Sequence, residues 1–326
     1  MAKKRILSGM RPTGKLHIGH FVGALENWVI LQNEFESYHL IADYHVLTTS
    51  LNTNEIYDNS VEMLIDWLAV GLDPGKSPMF RQSQIKEHTE LHLLFSMLVT
   101  AARLERNPTV KEQVRNLNID NIIYGHLGYP ILQSADILLY KGEAVPVGDD
   151  QVPHVEITRE IARKFNSLYG NVFPEPEPKL TKFARLPGLD GDVKMSKSLN
   201  NTILLSDAPE IVNQKLKKAK TDPQKLRRND PGRPEVCLVF TYHNKFNPSE
   251  TEEIAEGCRS GALGCVDCKL KCAENINTFL VPIIEKRRSL EANLDFVKDV
   301  LSDGERKAKL VAESTMNEVH KAMKLG

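Results

Sequence analysis

The stretch Arg5-Ile6-Leu7-Ser8-Gly9-Met10-Arg11-Pro12-Thr13-Gly14-Lys15-Leu16-His17-Ile18-Gly19-His20 decides the fold. Residues 5–8 have the pattern of a short buried strand. Residues 9–14 hold two glycines and a proline, so no helix runs through them. From His17 onward, apolar residues recur at the three- and four-residue spacing of one helix face. The stretch therefore predicts a strand, a glycine-rich loop and a helix that packs on a sheet.

The same alternation of strands and helices continues along the first part of the chain. We predict further strands at 38–42, 78–81 and 144–147, and helices at 54–69 and 153–165. Residues from about 86 to 140 have mostly helical patterns and indicate a helical insertion. Strands that alternate with helices favour a parallel, doubly wound sheet. We therefore predict an α/β fold with a Rossmann-like parallel-sheet domain over residues 1–199.

The second part of the chain has few strand signals. Helical patterns persist there over 207–220, 249–258, 269–292 and 304–323. We therefore predict a second, all-helical domain over residues 200–326.

Composition restricts the class of protein. The chain has 326 residues, of which 41% are hydrophobic and 26% charged, as in ordinary globular proteins. The apolar stretch near the N-terminus is far too short for a signal peptide, and no window approaches 18 uninterrupted apolar residues. We expect a cytoplasmic protein with no membrane partner. The net charge of −1 gives no overall sign of a nucleic-acid partner.

Two histidines begin the first predicted helix. His17 and His20 are three residues apart, so both imidazoles lie on one helix face. A helix N-terminus after a glycine-bearing loop attracts anions, because its backbone N–H groups are not yet paired. The pattern suits a polyphosphate ligand. Taken alone, the two residues could equally be incidental surface histidines.

A second motif, Lys194-Met195-Ser196-Lys197-Ser198, follows a loop that contains Gly188 and Gly191. Two lysines and two hydroxyls on such an arm can close on a phosphate. A lysine–serine loop is often only a solvated turn. The His-Ile-Gly-His and Lys-Met-Ser-Lys-Ser pair, in this order, is much more specific.

Together the two motifs resemble the signatures of class I aminoacyl-tRNA synthetases, whose catalytic domain is Rossmann-like. The segments 8–14, 23–28 and 145–151 are similar to those of tryptophanyl-tRNA synthetases. The resemblance implies ATP-dependent activation of L-tryptophan and its transfer to tRNA(Trp), with Mg²⁺ on the phosphates. It also implies a homodimer. The alternatives are a tyrosyl-tRNA synthetase, a small-molecule adenylyltransferase that does not use tRNA, and a non-catalytic protein derived from a synthetase.

The resemblance assigns a tryptophan site to one helix. Asp136 would accept the indole N–H, which is only a donor. Tyr129 and Gln133 precede it at helical spacing, and Gln133 could take the α-ammonium group. We expect Pro130 in the first turn of this helix. Without the resemblance, Asp136 could be a solvated or capping residue.

The resemblance also assigns ATP contacts. Gly148, Asp150 and Gln151 would approach the ribose and the bound amino acid, although Asp150 also suits a helix cap. Lys111 would reach the phosphates. The catalytic residues would be His17, His20, Lys194 and Lys197, and further ATP contacts would come from Arg11, Thr13, Gly19, Met195 and Ser196.

All five cysteines fall between Cys237 and Cys272. The spacing of Cys237, Cys258, Cys265 and Cys268 suits a tetrahedral zinc ion or a four-iron, four-sulfur cluster. A subset of bacterial tryptophanyl-tRNA synthetases carries a [4Fe-4S] cluster on a similar pattern, with a first interval two residues longer. The third interpretation is a set of scattered thiols. Cys272 has no assigned role.

A basic block precedes the cysteines and suits contacts with tRNA phosphates. It could equally be a solvated helix face. Its cations are Lys215, Lys217, Lys218, Lys220, Lys225, Arg227, Arg228 and Arg233.

Overall fold

The described residues fall into two compact units. The computed structural model describes residues 3–116, 120–180, 186–191 and 195–326. The described residues of 1–14, 26–182 and 293–326 form a sheet unit, and those of 15–25 and 183–292 form a helical unit. The prediction of a domain boundary near residue 199 stays a prediction.

The sheet unit is built on a five-stranded parallel sheet, which confirms the predicted fold class. Its strands stand in the order β3-β2-β1-β4-β5. Sequence analysis did not predict β5, because its Glu-Pro-Lys-Leu sequence lacks a buried apolar run. An edge position tolerates the proline. The strands are β1 (Arg5–Met10), β2 (Glu36–Ile41), β3 (Met79–Arg81), β4 (Ala144–Val147) and β5 (Glu177–Leu180).

The first predicted helix consists of three consecutive segments. They are α1 (Ile18–His20), a π-helical segment (Phe21–Leu25) and α2 (Glu26–Glu34). The predicted helix at 54–69 is α3 (Ile56–Ala69).

The predicted helical insertion lies between β3 and β4. It holds α4 (Glu87–Ser96), α5 (Ala101–Glu105), α6 (Pro108–Asn116) and α7 (Tyr124–Leu139). Helix α7 packs against α4 and against α8 (Val152–Tyr169), which follows β4. Their buried faces join the main hydrophobic core, which contains Phe80, Phe95 and Phe165.

Besides α1, the helical unit holds four α-helices in its described part. They are α9 (Pro209–Lys218), α10 (Leu238–Phe246), α11 (Thr251–Ser260) and α12 (Cys265–Glu291). Helix α12 packs against α9 and α10. The segment before α1 pairs with residues 203–205 through hydrogen bonds from Ile18 N to Ile203 O (2.9 Å) and from Leu205 N to Leu16 O (2.9 Å).

The last helix, α13 (Leu294–Met323), belongs to the sheet unit. The helix predicted over 304–323 is the C-terminal part of α13, and only its predicted start was wrong, because α13 begins ten residues earlier at Leu294. A side-chain carbon at Gly304 would overlap the backbone of Met79, so the glycine allows α13 to approach β3 closely. Arg81 and Glu305 form an ion pair (2.6 Å) at the same crossing. Among the described helices, none is long and apolar enough to cross a membrane.

Candidate active site

The loops after β1 and β4 lie at the same edge of the sheet. The strand order reverses between these two strands, and in such sheets ligands bind outside the carboxyl ends of the strands at that point. Strand β1 leads into Arg11 and Thr13. Strand β4 leads into Gly148 and a 3₁₀ turn over Asp149–Gln151. The four predicted ligand contacts Arg11, Thr13, Asp150 and Gln151 therefore come from adjacent loops.

Asp136 on α7 lies at the centre of a buried polar cluster and is 3% exposed. Its Oδ1 accepts hydrogen bonds from Gln82 Nε2 (2.7 Å) and from His88 Nδ1 (2.7 Å). Its Oδ2 accepts one from His45 Nε2 (3.0 Å). The other ring nitrogen of His88 lies 3.0 Å from the Tyr140 hydroxyl. We call these five residues the Asp136 cluster.

The elements that supply the Asp136 cluster meet at the carboxyl edge of the sheet. His45 lies in the 3₁₀ turn Tyr44–Val46 after β2, and Gln82 begins the turn Gln82–Gln84 after β3. Asp43 joins the two turns, because its carboxylate accepts hydrogen bonds from the backbone N–H and the hydroxyl of Ser83. His88 comes from the first turn of α4. The sequence therefore folds three separate segments around one carboxylate.

The Asp136 cluster keeps its carboxyl group ionised. Burial opposes ionisation, but hydrogen bonds from His45 and His88 outweigh it and lower the pKa of Asp136 to about 2. A carboxylate offers about four acceptor positions. Three donors occupy three of these positions in Asp136. Because Oδ2 has one partner and Oδ1 has two, Oδ2 can accept one more donor. That geometry suits a ligand N–H.

Tyr129 and Gln133 share a face of α7 with Asp136, as the spacing predicts. The Tyr129 hydroxyl lies 2.9 Å from His154 Nε2, and burial raises its pKa. Gln133 is half-buried. Pro130 lies inside α7 and not in its first turn, so that prediction was wrong. The reason is that α7 already begins at Tyr124, six residues earlier.

Lys111 lies on a helix that is tied to the loop after β4. Asn107 precedes α6, and its side-chain oxygen accepts the Thr109 and Val110 backbone N–H groups (2.9 and 3.3 Å). The Thr109 hydroxyl donates to Asp150 O (2.9 Å). Lys111 is exposed one residue after this capped turn. The structure therefore brings the Lys111 segment beside the Asp150 segment.

Arg11 and Thr13 are exposed in the loop after β1. Arg11 Nη1 donates to the Thr49 hydroxyl (3.4 Å). Its charge acts on the Tyr129 phenol and opposes part of the pKa increase that burial causes. Arg11 therefore lies near the Tyr129 end of the α7 face.

In the helical unit, His17 and His20 form a reciprocal cap at the start of α1. His20 N donates to His17 Nδ1 (3.3 Å), and His17 N donates to His20 Nδ1 (3.2 Å). The two rings stack with centroids 3.7 Å apart. The predicted placement of both imidazoles on one face is therefore confirmed in geometry. Each Nδ1 accepts a backbone N–H, so the proton of each neutral ring is on Nε2.

Gly19 lies between His17 and the second motif. A side-chain carbon at Gly19 would meet His17 Nδ1 at 2.9 Å and Met195 Sδ at 3.1 Å, so the close approach requires glycine. Ser196 N donates to Asn201 Oδ1 (2.7 Å), and Lys197 Nζ donates to Lys15 O (3.0 Å). Met195, Ser196 and Lys197 therefore lie beside the histidine segment. Lys194, predicted as catalytic, lies outside the described residues.

The four predicted metal ligands share one region of the helical unit. Burial, followed by the charges of Cys237, Cys258 and Cys265, raises the pKa of Cys268 to about 12. All five thiols are free of disulfide bonds. Within the described residues, however, no group of three or more His, Cys, Asp or Glu side chains is placed to hold a metal ion. The donor types fit zinc or an iron–sulfur cluster, whereas the arrangement is that of neighbouring separate thiols.

Part of the basic block makes contacts within the unit. Lys215 pairs with Asp207 (2.6 Å), Arg233 with Asp222 (2.7 Å), and Lys225 donates to the backbone oxygen of Asp230. Arg228 forms an exposed pair with Asp267 (3.0 Å). The exposed cations of the block also include Lys217, Lys218 and Arg227.

His45, Gln82 and His88 were not predicted as site residues. Gln82 directly follows β3 and His45 lies in the turn after β2, so the rule that ligands gather at the carboxyl ends of parallel strands could have identified both. His88 follows no strand, and only the fold brings it to Asp136.

Comparisons with known proteins agree with this geometry. Residues 2–281 match the family "tRNA synthetases class I (W and Y)". The chain is 51% identical to the tryptophan–tRNA ligase of Thermotoga maritima, with 98% of this chain and 99% of that protein aligned. It is 45% identical to the tryptophan–tRNA ligase of Aquifex aeolicus, with 98% and 100% aligned.

A solved structure is similar over the same length. It is the tryptophanyl-tRNA synthetase of Campylobacter jejuni, complexed with ADP and tryptophan, which superposes with a TM-score of 0.87 at 32% identity. The match covers 98% of this chain and 99% of that one. The chain therefore belongs to the tryptophan–tRNA ligases within the class I tRNA synthetase family, and it is an aminoacyl-tRNA synthetase.

Proposed function

We propose that this chain activates L-tryptophan with ATP to tryptophanyl-adenylate and transfers the tryptophanyl group to tRNA(Trp), releasing pyrophosphate and AMP. The observation that carries the proposal is the Asp136 cluster. It supplies a buried, ionised carboxylate with one acceptor position left for a donor. An indole N–H can only donate, so a site that buries the indole must offer it an acceptor.

Four residues are proposed to bind tryptophan. Asp136 Oδ2 accepts the indole N–H, and Gln133 takes the α-ammonium group from the same face of α7. Tyr129, held by His154, and Gln151, in the turn after β4, complete the site. Each is a polar group on a regular element or a short turn, so its position is set before the ligand arrives.

The first step needs no general base. The tryptophan carboxylate is ionised at neutral pH, and its oxygen attacks the α-phosphorus of ATP. The bond from the α-phosphorus to the bridging oxygen breaks, and pyrophosphate leaves with that electron pair. Charge accumulates on the phosphates, and fixed donors and cations lower the barrier. Mg²⁺ bound to the phosphates would share that charge.

We propose that His17, His20, Lys194 and Lys197 stabilise the developing phosphate charge. The Nε2–H groups of the histidine pair, which can donate to a phosphate, and the ammonium group of Lys197 beside the histidine segment support this role. The further proposed ATP contacts are Arg11, Thr13, Gly19, Lys111, Gly148, Asp150, Met195 and Ser196. In the second step, a ribose hydroxyl at the tRNA 3′ end attacks the adenylate carbonyl, and AMP leaves.

We propose that the exposed cations Lys217, Lys218 and Arg227 contact tRNA. Each lies on the surface of the helical unit. Phosphate contacts of this kind make affinity fall with salt. Reversing the charge of Lys217 and Lys218 should lower tRNA affinity and flatten its salt dependence. Unchanged affinity and salt dependence would contradict this assignment.

We propose that Cys237, Cys258, Cys265 and Cys268 hold a [4Fe-4S] cluster, with zinc as the alternative metal. The clustering of all five cysteines between Cys237 and Cys272, with thiol donors that suit either metal, is what supports the proposal. Protein purified without oxygen should contain iron and absorb visible light, and Cys258→Ser should lose both. Cys272→Ala, outside the set, should keep them. If the protein contains zinc and no iron, the site is a zinc site. If it contains neither metal, the proposal is overturned.

A cytoplasmic homodimer is also proposed, on the family resemblance alone. Mass measured in solution by light scattering would test the dimer.

The decisive experiment is amino-acid-dependent exchange of labelled pyrophosphate into ATP, with tryptophan and tyrosine supplied separately. Exchange with tryptophan alone is expected. Exchange with tyrosine alone would reassign Asp136 to a phenol hydroxyl. Exchange with neither would favour the adenylyltransferase alternative or a tRNA-dependent activity, and adding tRNA separates these two.

A further inference from the structure

One buried asparagine contacts the described residues on both sides of residues 192–194. Asn201 is 3% exposed in the helical unit. Its Oδ1 accepts the backbone N–H of Ser196 (2.7 Å), and its Nδ2 donates to Asp190 Oδ2 (2.8 Å). Its backbone oxygen accepts the Leu189 N–H (2.9 Å). One residue therefore contacts both the 188–191 segment and the 196–197 segment.

The local backbone is adapted to this asparagine. A side-chain carbon at Gly188 would overlap the Asn201 amide, so glycine is required there. Asn200 has a φ of +51°, in the left-handed region that asparagine tolerates better than most residues. It ends the 3₁₀ turn Lys197–Leu199 and turns the chain inward. Asn200 therefore forms the turn, and Asn201 places its side-chain amide in the interior.

The chain beyond Asn201 leads directly to the histidine segment. Residues 203 and 205 pair with Ile18 and Leu16, on either side of His17. The Asn201 amide is thus two residues from the backbone that holds His17. The described contacts form a continuous path from His17, through residues 203 and 201, to the Ser196 N–H and then to Lys197.

We propose that Asn201 is a positioning residue for the ATP step, acting through Ser196 and Lys197 without touching the substrate. This inference rests on the proposed function, because it assumes that Lys197 meets phosphate. An amide suits the position because it accepts from Ser196 and donates to Asp190 at once. Neither aspartate nor alanine can do both.

Three variants test the two side-chain hydrogen bonds of Asn201, to Ser196 and to Asp190. Asn201→Ala loses both hydrogen bonds, and we expect about a thirtyfold fall in kcat/KM for ATP in pyrophosphate exchange. Asn201→Asp keeps the Ser196 contact but places a carboxylate against Asp190, and we expect about a fivefold fall. The double variant Asn201→Asp with Asp190→Asn restores a donor between the two positions. We expect it to return to within about twofold of the unmodified protein.

One readout distinguishes positioning from a general structural effect. KM for tryptophan should stay within about twofold in all three variants, since the Asp136 cluster is unchanged. Asn244→Asp, at an exposed position on α10, is the control for added charge.

The outcomes are decisive in both directions. Recovery in the double variant, with a constant KM for tryptophan, supports the proposal. Failure of the double variant to recover, while its thermal unfolding midpoint matches that of the unmodified protein, would overturn it. So would an Asn201→Ala variant that keeps full kcat/KM for ATP. If the unmodified protein shows no tryptophan-dependent exchange, the proposed function fails first, which separates that failure from failure of the positioning role.

Discussion

The Asp136 cluster and the Met195–Lys197 segment hold their polar groups in different ways. In the cluster, a buried carboxylate is fixed by three side-chain donors from three other segments of the chain. In the Met195–Lys197 segment, Asn201 accepts a hydrogen bond from the backbone. The Lys197 side chain is half-buried and donates to the backbone oxygen of Lys15. Recognition of an uncharged ring requires a desolvated acceptor held by its neighbours, whereas a charged phosphate can be met by a cation on a long side chain whose backbone is held in place.

This difference implies that the two regions should respond separately to mutation. Changes in the Asp136 cluster should affect the amino acid and leave ATP nearly untouched. Changes in the Met195–Lys197 segment should do the reverse.

The largest effect is expected for Asp136→Ala. It removes the acceptor for the indole N–H and leaves the N–H groups of Gln82 and His88 without this partner. We expect kcat/KM for tryptophan to fall about a thousandfold in pyrophosphate exchange, with KM for ATP changed less than about threefold. Asp58→Asn, at an exposed position on α3, is the matched control. An equal loss of kcat/KM for tryptophan and for ATP would mean that the Asp136 cluster does not act on tryptophan alone.

Lys197→Ala should have the next largest effect. Removing one cation that stabilises phosphate charge typically costs a rate factor of about a hundred. We expect that fall in kcat for exchange, with KM for tryptophan unchanged. Lys286→Ala, at an exposed position on α12, controls for loss of a lysine in the same unit. A variant that retains full kcat would remove Lys197 from the ATP step.

His88→Leu should have a smaller effect on the Asp136 cluster. The substitution introduces an apolar side chain of similar size. It removes one donor to Asp136 and the partner of the Tyr140 hydroxyl. We expect KM for tryptophan to rise about tenfold, because the carboxylate is less firmly oriented. His320→Leu, which alters a histidine paired with Glu90 at the surface, is the control. An unchanged KM would show that Gln82 and His45 orient Asp136 without His88.

Sequence reasoning predicted the parts of the site that lie on local patterns. The strand at Ala144–Val147 and the shared face of Tyr129, Gln133 and Asp136 follow from short-range periodicity. His88 could not be predicted, since it lies 48 residues before Asp136 and only packing of α4 on α7 joins them. Gly304 was read as a helix start for the same reason, because its contact with Met79 is distant in sequence. Long-range contacts, more than local propensity, account for these errors.

The smallest expected effect is the pH dependence of stability that comes from His154 in the sheet unit. Burial, aided by the charge of His45, lowers the pKa of His154 to about 4, so the folded state holds this ring neutral beside Tyr129. The unfolded chain binds a proton near pH 6.5. Stability from this ring is therefore full above pH 6.5 and is lost as the pH falls towards 4. Between pH 7.5 and 5.5 the loss should be about 1 kcal/mol.

Intrinsic fluorescence can measure this effect in the sheet unit, because both tryptophans of the chain, Trp28 and Trp67, lie there. His39, fully buried beside them with a pKa lowered to about 3 by burial, adds a dependence of the same sign. The test is therefore the difference between the unmodified protein and His154→Gln in urea unfolding at the two pH values. The variant should lose about 1 kcal/mol less on acidification. Equal losses would mean that His154 titrates alike in both states and that Tyr129 is not held by a neutral ring.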